Sequence, residues 1–239
     1  MGPRLSLVLP AFNEEGNIVR AVNDAARAAA ALAPAYEVVV VDDGSRDGTA
    51  ACLEALQHEL GGALQVVTHP RNRGYGAALR SGFQAARGEL VFYTDADNQF
   101  DLSELDGFLP LMDGHDAVLG YRVRRRDPRL RLFTSRVFNA LADWVLGLEV
   151  RDVNCSFKLF RGDLLRALPL VCDDFMIDAE LVARLQRARW RVAEKGVTHL
   201  PRTAGRSTVR PGHVPHTLAS LGRLWLALRR ENGSAPPRT

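Results

Sequence analysis

Lysine is almost missing from this sequence: of its 31 basic residues, only Lys158 and Lys195 are not arginine. Cysteine is scarce too. Cys52, Cys155 and Cys172 are odd in number and far apart, and no C-x-x-C pair occurs. This excludes a disulfide scaffold and a zinc finger, and leaves three thiols suited to a reducing compartment. No apolar run approaches the ~20 residues that span a bilayer. The run Leu5–Leu9 is too short for a signal-peptide core and gives way at once to Asn13-Glu14-Glu15. A chain without signal peptide or transmembrane helix, working in the cytoplasm, is expected. Basic segments interleaved with aromatics are also missing, which argues against nucleic acid as a partner.

What is present is the balance of a globular protein, 46% hydrophobic and 25% charged over 239 residues. That length suits one large domain, able to bury roughly three quarters of its unfolded surface. The formal net charge of +3 conceals a segregation. Residues 1–120 carry 8 basic and 17 acidic side chains, and the remainder 23 and 11. A basic second half points to anionic partners such as phosphates or an anionic lipid surface.

Short β-branched runs (Leu5–Leu9, Glu37–Val41, Leu64–Thr68, Leu90–Thr94, Ala117–Gly120) alternate with helical patterns (Glu14–Leu32, Thr49–Leu60, Ala77–Ala86, Leu102–Met112). That alternation predicts an α/β fold with a doubly wound, mostly parallel sheet in a single domain. Beyond residue 121 the regularity breaks. Seven arginines fall between Arg122 and Arg136. A helical pattern over Phe133–Leu146 follows, then a mixed segment Val153–Phe160, a helix over Ile177–Ala188 and a strand over Arg191–Val197. Residues 201–215 read as a loop, Thr217–Arg230 as a last helix, and 232–239 as a disordered tail. On the last helix Leu218, Leu221, Leu224, Trp225 and Leu228 share one face, with Arg223 and Arg230 opposite. Such a stripe packs on the core or a second copy of the chain, or lies in a membrane interface.

In a doubly wound sheet, ligands bind beyond the carboxyl ends of the strands. The first strand exits into Pro10-Ala11-Phe12-Asn13-Glu14, the second into Asp42-Asp43-Gly44-Ser45, and the fourth into Asp95-Ala96-Asp97-Asn98-Gln99. Carboxylates gathered at one edge repel unless a cation or hydrogen-bond donors offset them. Asp95 and Asp97, one residue apart after a strand, with Gln99 as a further oxygen, suit Mg²⁺ or Mn²⁺ shared with a substrate phosphate. Asp residues here also cap helices, and the Asp42–Thr49 run is equally a tight turn. The loop Asn72–Ala78 has two glycines entering a helix but neither a G-x-G-x-x-G nor a Walker lysine, so a P-loop is not supported.

Four ordered motifs, V-L-P-A-F-N-E-E (8–15), V-D-D-G-S-R-D-G-T (41–49), N-R-G-Y-G-A-A-L-R-S-G (72–82) and D-A-D-N-Q (95–99), resemble inverting family-2 glycosyltransferases of the GT-A fold. Among these the chain is most similar to the dolichyl- or polyprenyl-phosphate mannose (or glucose) synthases. The resemblance spans about residues 4–210. It implies a GT-A domain over 1–212, with a Rossmann-like nucleotide-sugar half (1–120) and an acceptor half (121–212), followed by an amphipathic helix (213–231). By the same resemblance Pro10, Ala11, Asn13 and Glu14 line a uridine or guanosine pocket, Asp42 lies near the base and Asp43 near the ribose. Asp95, Ala96 and Asp97 meet the donor, and Asp95, Asp97 and Gln99 hold the cation. Arg122 and Arg136 bind phosphate. E-K-G-V-T-H-L-P-R-T-A-G-R-S (194–207) offers Arg202 to the donor and Arg206 to the acceptor. D-V-N-C-S-F-K-L-F-R (152–161) matches D-x-x-x-G-F-K-x-F with Ser156 in place of glycine.

The expected reaction moves a hexose from a GDP- or UDP-sugar to a polyprenyl phosphate at the cytoplasmic membrane face, with the cation held by Asp97 and the arginines, Arg122 among them, offsetting charge that develops on the diphosphate. A hydroxyl acceptor needs a base, for which Asp152 is the candidate, with Asp178 and Glu180 as alternatives. A lipid monophosphate, with a second pKa of about 6, does not. A soluble or glycan hydroxyl acceptor is the main alternative, and a Mg²⁺-binding signalling domain the remote one. A homodimer is compatible with the sequence.

Overall fold

Short apolar runs flanked by turn residues form the strands expected along the chain, and the mixed segment Val153–Phe160 supplies one more. The computed structural model describes residues 4–123, 145–201 and 214–231. Its first half comprises β1 (Leu5–Ala11), α1 (Ile18–Leu32), β2 (Tyr36–Asp42), α2 (Thr49–Leu60), β3 (Leu64–Thr68), α3 (Tyr75–Ala85), β4 (Leu90–Thr94) and β5 (Ala117–Arg122). The second half adds β6 (Phe157–Arg161), α4 (Gly162–Ala167), α5 (Ile177–Arg187), β7 (Val192–Val197) and α6 (Val214–Glu231). Most of the helix expected over Phe133–Leu146, the arginines from Arg124 to Arg136, the loop holding Arg202 and Arg206, and the tail 232–239 lie outside the described residues.

One predicted helix is different. Leu102–Met112 forms two 3₁₀ turns, Leu102–Gly107 and Leu109–Asp113, meeting at Phe108. Pro110 has no N–H for the Asp106 carbonyl and its ring crowds that oxygen, so a continuous α-helical ladder cannot run through it.

The seven strands lie in the order β3-β2-β1-β4-β6-β5-β7. Neighbours pair in parallel except β6, which runs antiparallel to both β4 and β5. Helices α1 and α2 cover one face over Leu7, Leu9, Val38 and Val40. Helices α3, α5 and α6 cover the other over Val8, Val39, Tyr93 and Phe160. Burial on both faces explains why β2 reads as an unbroken apolar run instead of an alternating one. Each fully buried Val or Leu contributes about 1.5–3 kcal/mol.

Two consequences position the site. The chain order doubles back between β1 and β4, so the carboxyl ends of β1, β2 and β4 open on one crevice. In addition, β6 starts where β4 ends, with Thr94 paired to Phe157. The residue before β6, Ser156, therefore lies beside the residue after β4, Asp95.

Helix α6 buries Leu221, Leu224 and Leu228 in the core cluster that also includes α5. Arg187 of α5 donates to the Leu228 carbonyl at 2.7 Å. The stripe thus packs on the core, one of its expected uses. Among the described residues no helix is long and apolar enough to cross a membrane.

Candidate active site

The loops leaving β1 and β2 are stitched together. The Asn13 amide donates to Ser45 Oγ at 2.9 Å, and the Arg46 amide to Asn13 Oδ1 at 2.8 Å. The Glu14 amide donates to Thr49 Oγ1 at 2.9 Å, while Glu14 itself accepts from Asn17 Nδ2 at 2.6 Å. Asn13 and Asn98 both adopt left-handed backbone (φ 55° and 58°), which asparagine tolerates better than most residues. Pro10 and Ala11 are buried at the end of β1, and Ala96 is buried after β4. Asn13 is exposed and Glu14 half-buried on the loop above.

The acidic pair after β2 has an internal role. Asp42 Oδ1 accepts the Ser45 amide at 3.0 Å and shapes the turn. Buried Asp43 accepts the amides of Arg73 and Gly74, each at 2.9 Å, and pairs with His69 Nδ1 at 2.6 Å. His69 Nε2 in turn meets Ser81 Oγ at 2.9 Å. Asp43 therefore fixes the entry to α3. The helix start itself closes onto the segment before α5, where Gly76 N donates to the Asp173 carbonyl at 2.9 Å. A Cβ on Gly76 would stand 2.4 Å from the Cys172 carbonyl oxygen, so only glycine allows this approach. The amides of Arg73, Gly74 and Gly76 are thus taken up in packing within the protein.

Asp95 stands at the centre. Its Oδ1 accepts the Tyr75 hydroxyl at 2.9 Å and its Oδ2 the Ser156 hydroxyl at 2.6 Å. Burial raises its pKa to about 6, and the charge of Asp97 adds to the rise against the lowering pull of the two hydroxyls. Asp97 is buried and accepts the Gln99 amide at 3.2 Å. Gln99 Nε2 donates to the Leu200 carbonyl at 3.1 Å, and Phe100 packs edge-on against His199. The D-A-D-N-Q turn is thus tied to the segment leaving β7. Carboxylate and amide oxygens gathered in one turn are the donors that a hard divalent cation prefers. Among the described residues no three His, Cys, Asp or Glu form a cage.

Arg122 and Asp152 meet in a two-point ion pair. Arg122 Nε lies 2.7 Å from Asp152 Oδ2, and Nη2 lies 2.8 Å from Oδ1. The proposed base and the proposed phosphate ligand are therefore partners. The alternative bases face inward. Glu180 is fully buried, accepts the Val171 and Cys172 amides and pairs with Arg184 at 2.8 Å. Asp178 pairs with Lys158 at 2.6 Å and accepts the Tyr93 hydroxyl. Arg136, Arg202 and Arg206 lie outside the described residues.

A profile for Glycosyl transferase family 2 matches residues 6–168, more than half of the chain. The chain belongs to glycosyl transferase family 2. Among curated family relatives, an undecaprenyl-phosphate 4-deoxy-4-formamido-L-arabinose transferase of Pseudomonas aeruginosa is 34% identical over 169 residues, covering 70% of this chain and 50% of that protein. A dodecaprenyl-phosphate galacturonate synthase of Rhizobium johnstonii is 32% identical over 204 residues, covering 84% and 60%. The chain thus spans about half to three fifths of the length of these relatives. Glucosyl-3-phosphoglycerate synthase of Mycobacterium tuberculosis, solved with Mn²⁺, UDP and glucosyl-3-phosphoglycerate, superposes with a TM-score of 0.65 at 23% identity. That match covers 99% of this chain and 82% of that one. This likeness establishes the GT-A fold for this family-2 chain.

Sequence reasoning did not reach Tyr75, His69 or the burial of Lys158. Tyr75 stands inside the N-R-G-Y-G motif, and its hydroxyl becomes relevant only once α3 is docked against β4. Ser156 was visible as a departure from glycine, but its partner depends on the β4–β6 register.

Proposed function

We propose that this family-2 chain transfers a hexose, with inversion, from a UDP- or GDP-sugar to a polyprenyl phosphate at the cytoplasmic face of a membrane. The observation that carries the acceptor class is the Arg122–Asp152 pair, in which both carboxylate oxygens meet the guanidinium. A carboxylate so engaged would lose the ion pair on taking a proton, which makes it a poor general base. A phosphate acceptor arrives ionised and needs positioning instead. The relatives named for undecaprenyl- and dodecaprenyl-phosphate products support the same class.

The crevice between β1 and β4 would take the nucleotide, with Pro10, Ala11, Asn13, Glu14 and Asp42 around it. Asp43 fixes the adjoining loop and so shapes the ribose side. Asp95 and Asp97, with Gln99 beside them, would hold Mg²⁺ or Mn²⁺, which supplies charge compensation for the departing nucleoside diphosphate. Tyr75 and Ser156 orient Asp95. Arg122, aimed by Asp152, faces the acceptor phosphate, and Arg136, Arg202 and Arg206 are proposed to share the phosphates. Solved structures of the mycobacterial neighbour with UDP and either Mn²⁺ or Mg²⁺ support the use of a divalent ion.

The test is release of nucleoside diphosphate from a panel of UDP-, GDP- and dTDP-sugars. Each is assayed with Mg²⁺ or Mn²⁺, with and without a short-chain polyprenyl phosphate. Release that requires both metal and lipid phosphate is expected. Release indifferent to the lipid would reassign the acceptor to a hydroxyl.

A further inference from the structure

Lys158 is a lysine in a chain that uses arginine almost everywhere else, and it is completely buried in β6. Its Nζ lies 2.9 Å from the Val153 carbonyl, 2.6 Å from the Cys155 carbonyl, 2.8 Å from Tyr93 Oη and 2.6 Å from Asp178 Oδ1. A compact ammonium can serve oxygens spread in several directions, whereas a planar guanidinium cannot. The pair with Asp178 offsets the buried charge, but the two carbonyls belong to the turn that precedes β6. That turn has a functional contact at each end. Asp152, just before Val153, holds Arg122, and Ser156, just after Cys155, holds Asp95.

We infer that Lys158 is a positioning residue that sets the 152–156 turn and so fixes the cation-binding aspartate and the phosphate-binding arginine relative to one another. This inference rests on the proposed glycosyl transfer for the roles of Asp95 and Arg122. Ser156 belongs to the same device: a glycine there would have no hydroxyl to give Asp95. Buried polar partners behind metal ligands typically change metal affinity by about 10–100-fold when removed.

The test separates the two ends from the keystone. Because Lys158→Met alone would strand the Asp178 charge in the core, it is made together with Asp178→Asn and compared with Asp178→Asn alone. Three readouts are taken: Mn²⁺ affinity by electron paramagnetic resonance with and without UDP, KM for the lipid phosphate, and hydrogen exchange of the Arg122 Nε–H by NMR. Ser156→Ala should weaken Mn²⁺ by about tenfold and leave the acceptor KM unchanged. Asp152→Asn should do the reverse and speed exchange at Arg122. The Lys158→Met/Asp178→Asn protein should show both defects together, with an unfolding temperature close to that of Asp178→Asn. If it folds and all three readouts match wild type, Lys158 is only a core ion pair and the inference falls. Should it not fold, Lys158→Gln in the Asp178→Asn background is judged by the same criteria. If the wild-type chain turns over no donor with any acceptor, the proposed function fails. The Mn²⁺ and NMR measurements still decide the role of Lys158.

Discussion

Asp95 must be ionised to hold a cation, yet it is placed where ionisation is costly. Its usual pKa of 3.8 is raised to about 6, by burial first and by Asp97 second. With the proposed cation on Asp95, a proton would compete with it below pH 6, and kcat/KM should fall about tenfold per pH unit, with added Mn²⁺ moving the fall to lower pH. The stability consequence has the opposite sense. Because the folded chain holds this proton more tightly than the unfolded one, stability declines as pH rises from about 4 to 6. Asp95→Asn removes that decline. The variant should be more stable than wild type at pH 8 without metal, by up to about 3 kcal/mol in urea unfolding, and inactive. Equal stability would mean that the neighbouring hydroxyls already neutralise the site. Asp152 offers a second test at this scale. With a phosphate acceptor, Asp152→Asn should raise the acceptor KM about tenfold and leave kcat within a few fold. A loss of kcat beyond a thousandfold would restore it as a base.

At the scale of elements, the positions of β1–β5 and β7 and the three acidic strand exits are readable because buried parallel strands and turn residues leave local signals, whereas β6 lies in a segment without a clear period. The apolar spacing of Leu102–Met112 fits a helix, and only Pro110 marks the two 3₁₀ turns that form instead. The Ser156–Asp95 contact was unreadable for another reason, since it depends on β6 running antiparallel to β4, and nothing within five residues encodes which strand lies next door. Lys158 was hidden because lysine in a short run normally signals a solvated face. Docking of α3 onto the 172–174 segment is likewise nonlocal, although Gly76 marked the place. Gly76→Ala forces a Cβ to 2.4 Å from Cys172 O and 2.8 Å from Asp174 O. We expect a loss of about 1–3 kcal/mol in urea denaturation, together with weaker Mn²⁺ binding, because Tyr75 at the head of α3 moves with it. A neutral substitution would show that the helix start is loosely held.

With the proposed polyprenyl-phosphate acceptor, the whole molecule would have to reach a lipid headgroup, and the fold narrows how. Helix α6 has the amphipathic pattern of an interfacial helix, but Leu221, Leu224 and Leu228 are at most 4% exposed and lie in the same cluster as α5. Turning that face to a bilayer would first expose this core, at about 25 cal/mol for each Å² of apolar surface. The segregated charge offers a cheaper route, since basic side chains near an anionic surface contribute about 1 kcal/mol each and fade within a Debye length. Binding to anionic vesicles should therefore weaken steeply between 50 and 500 mM salt, while amide exchange over 217–230 stays the same with and without vesicles. Salt-insensitive binding with new protection over 217–230 would mean that α6 leaves the core to insert, and that its packing is one of two states.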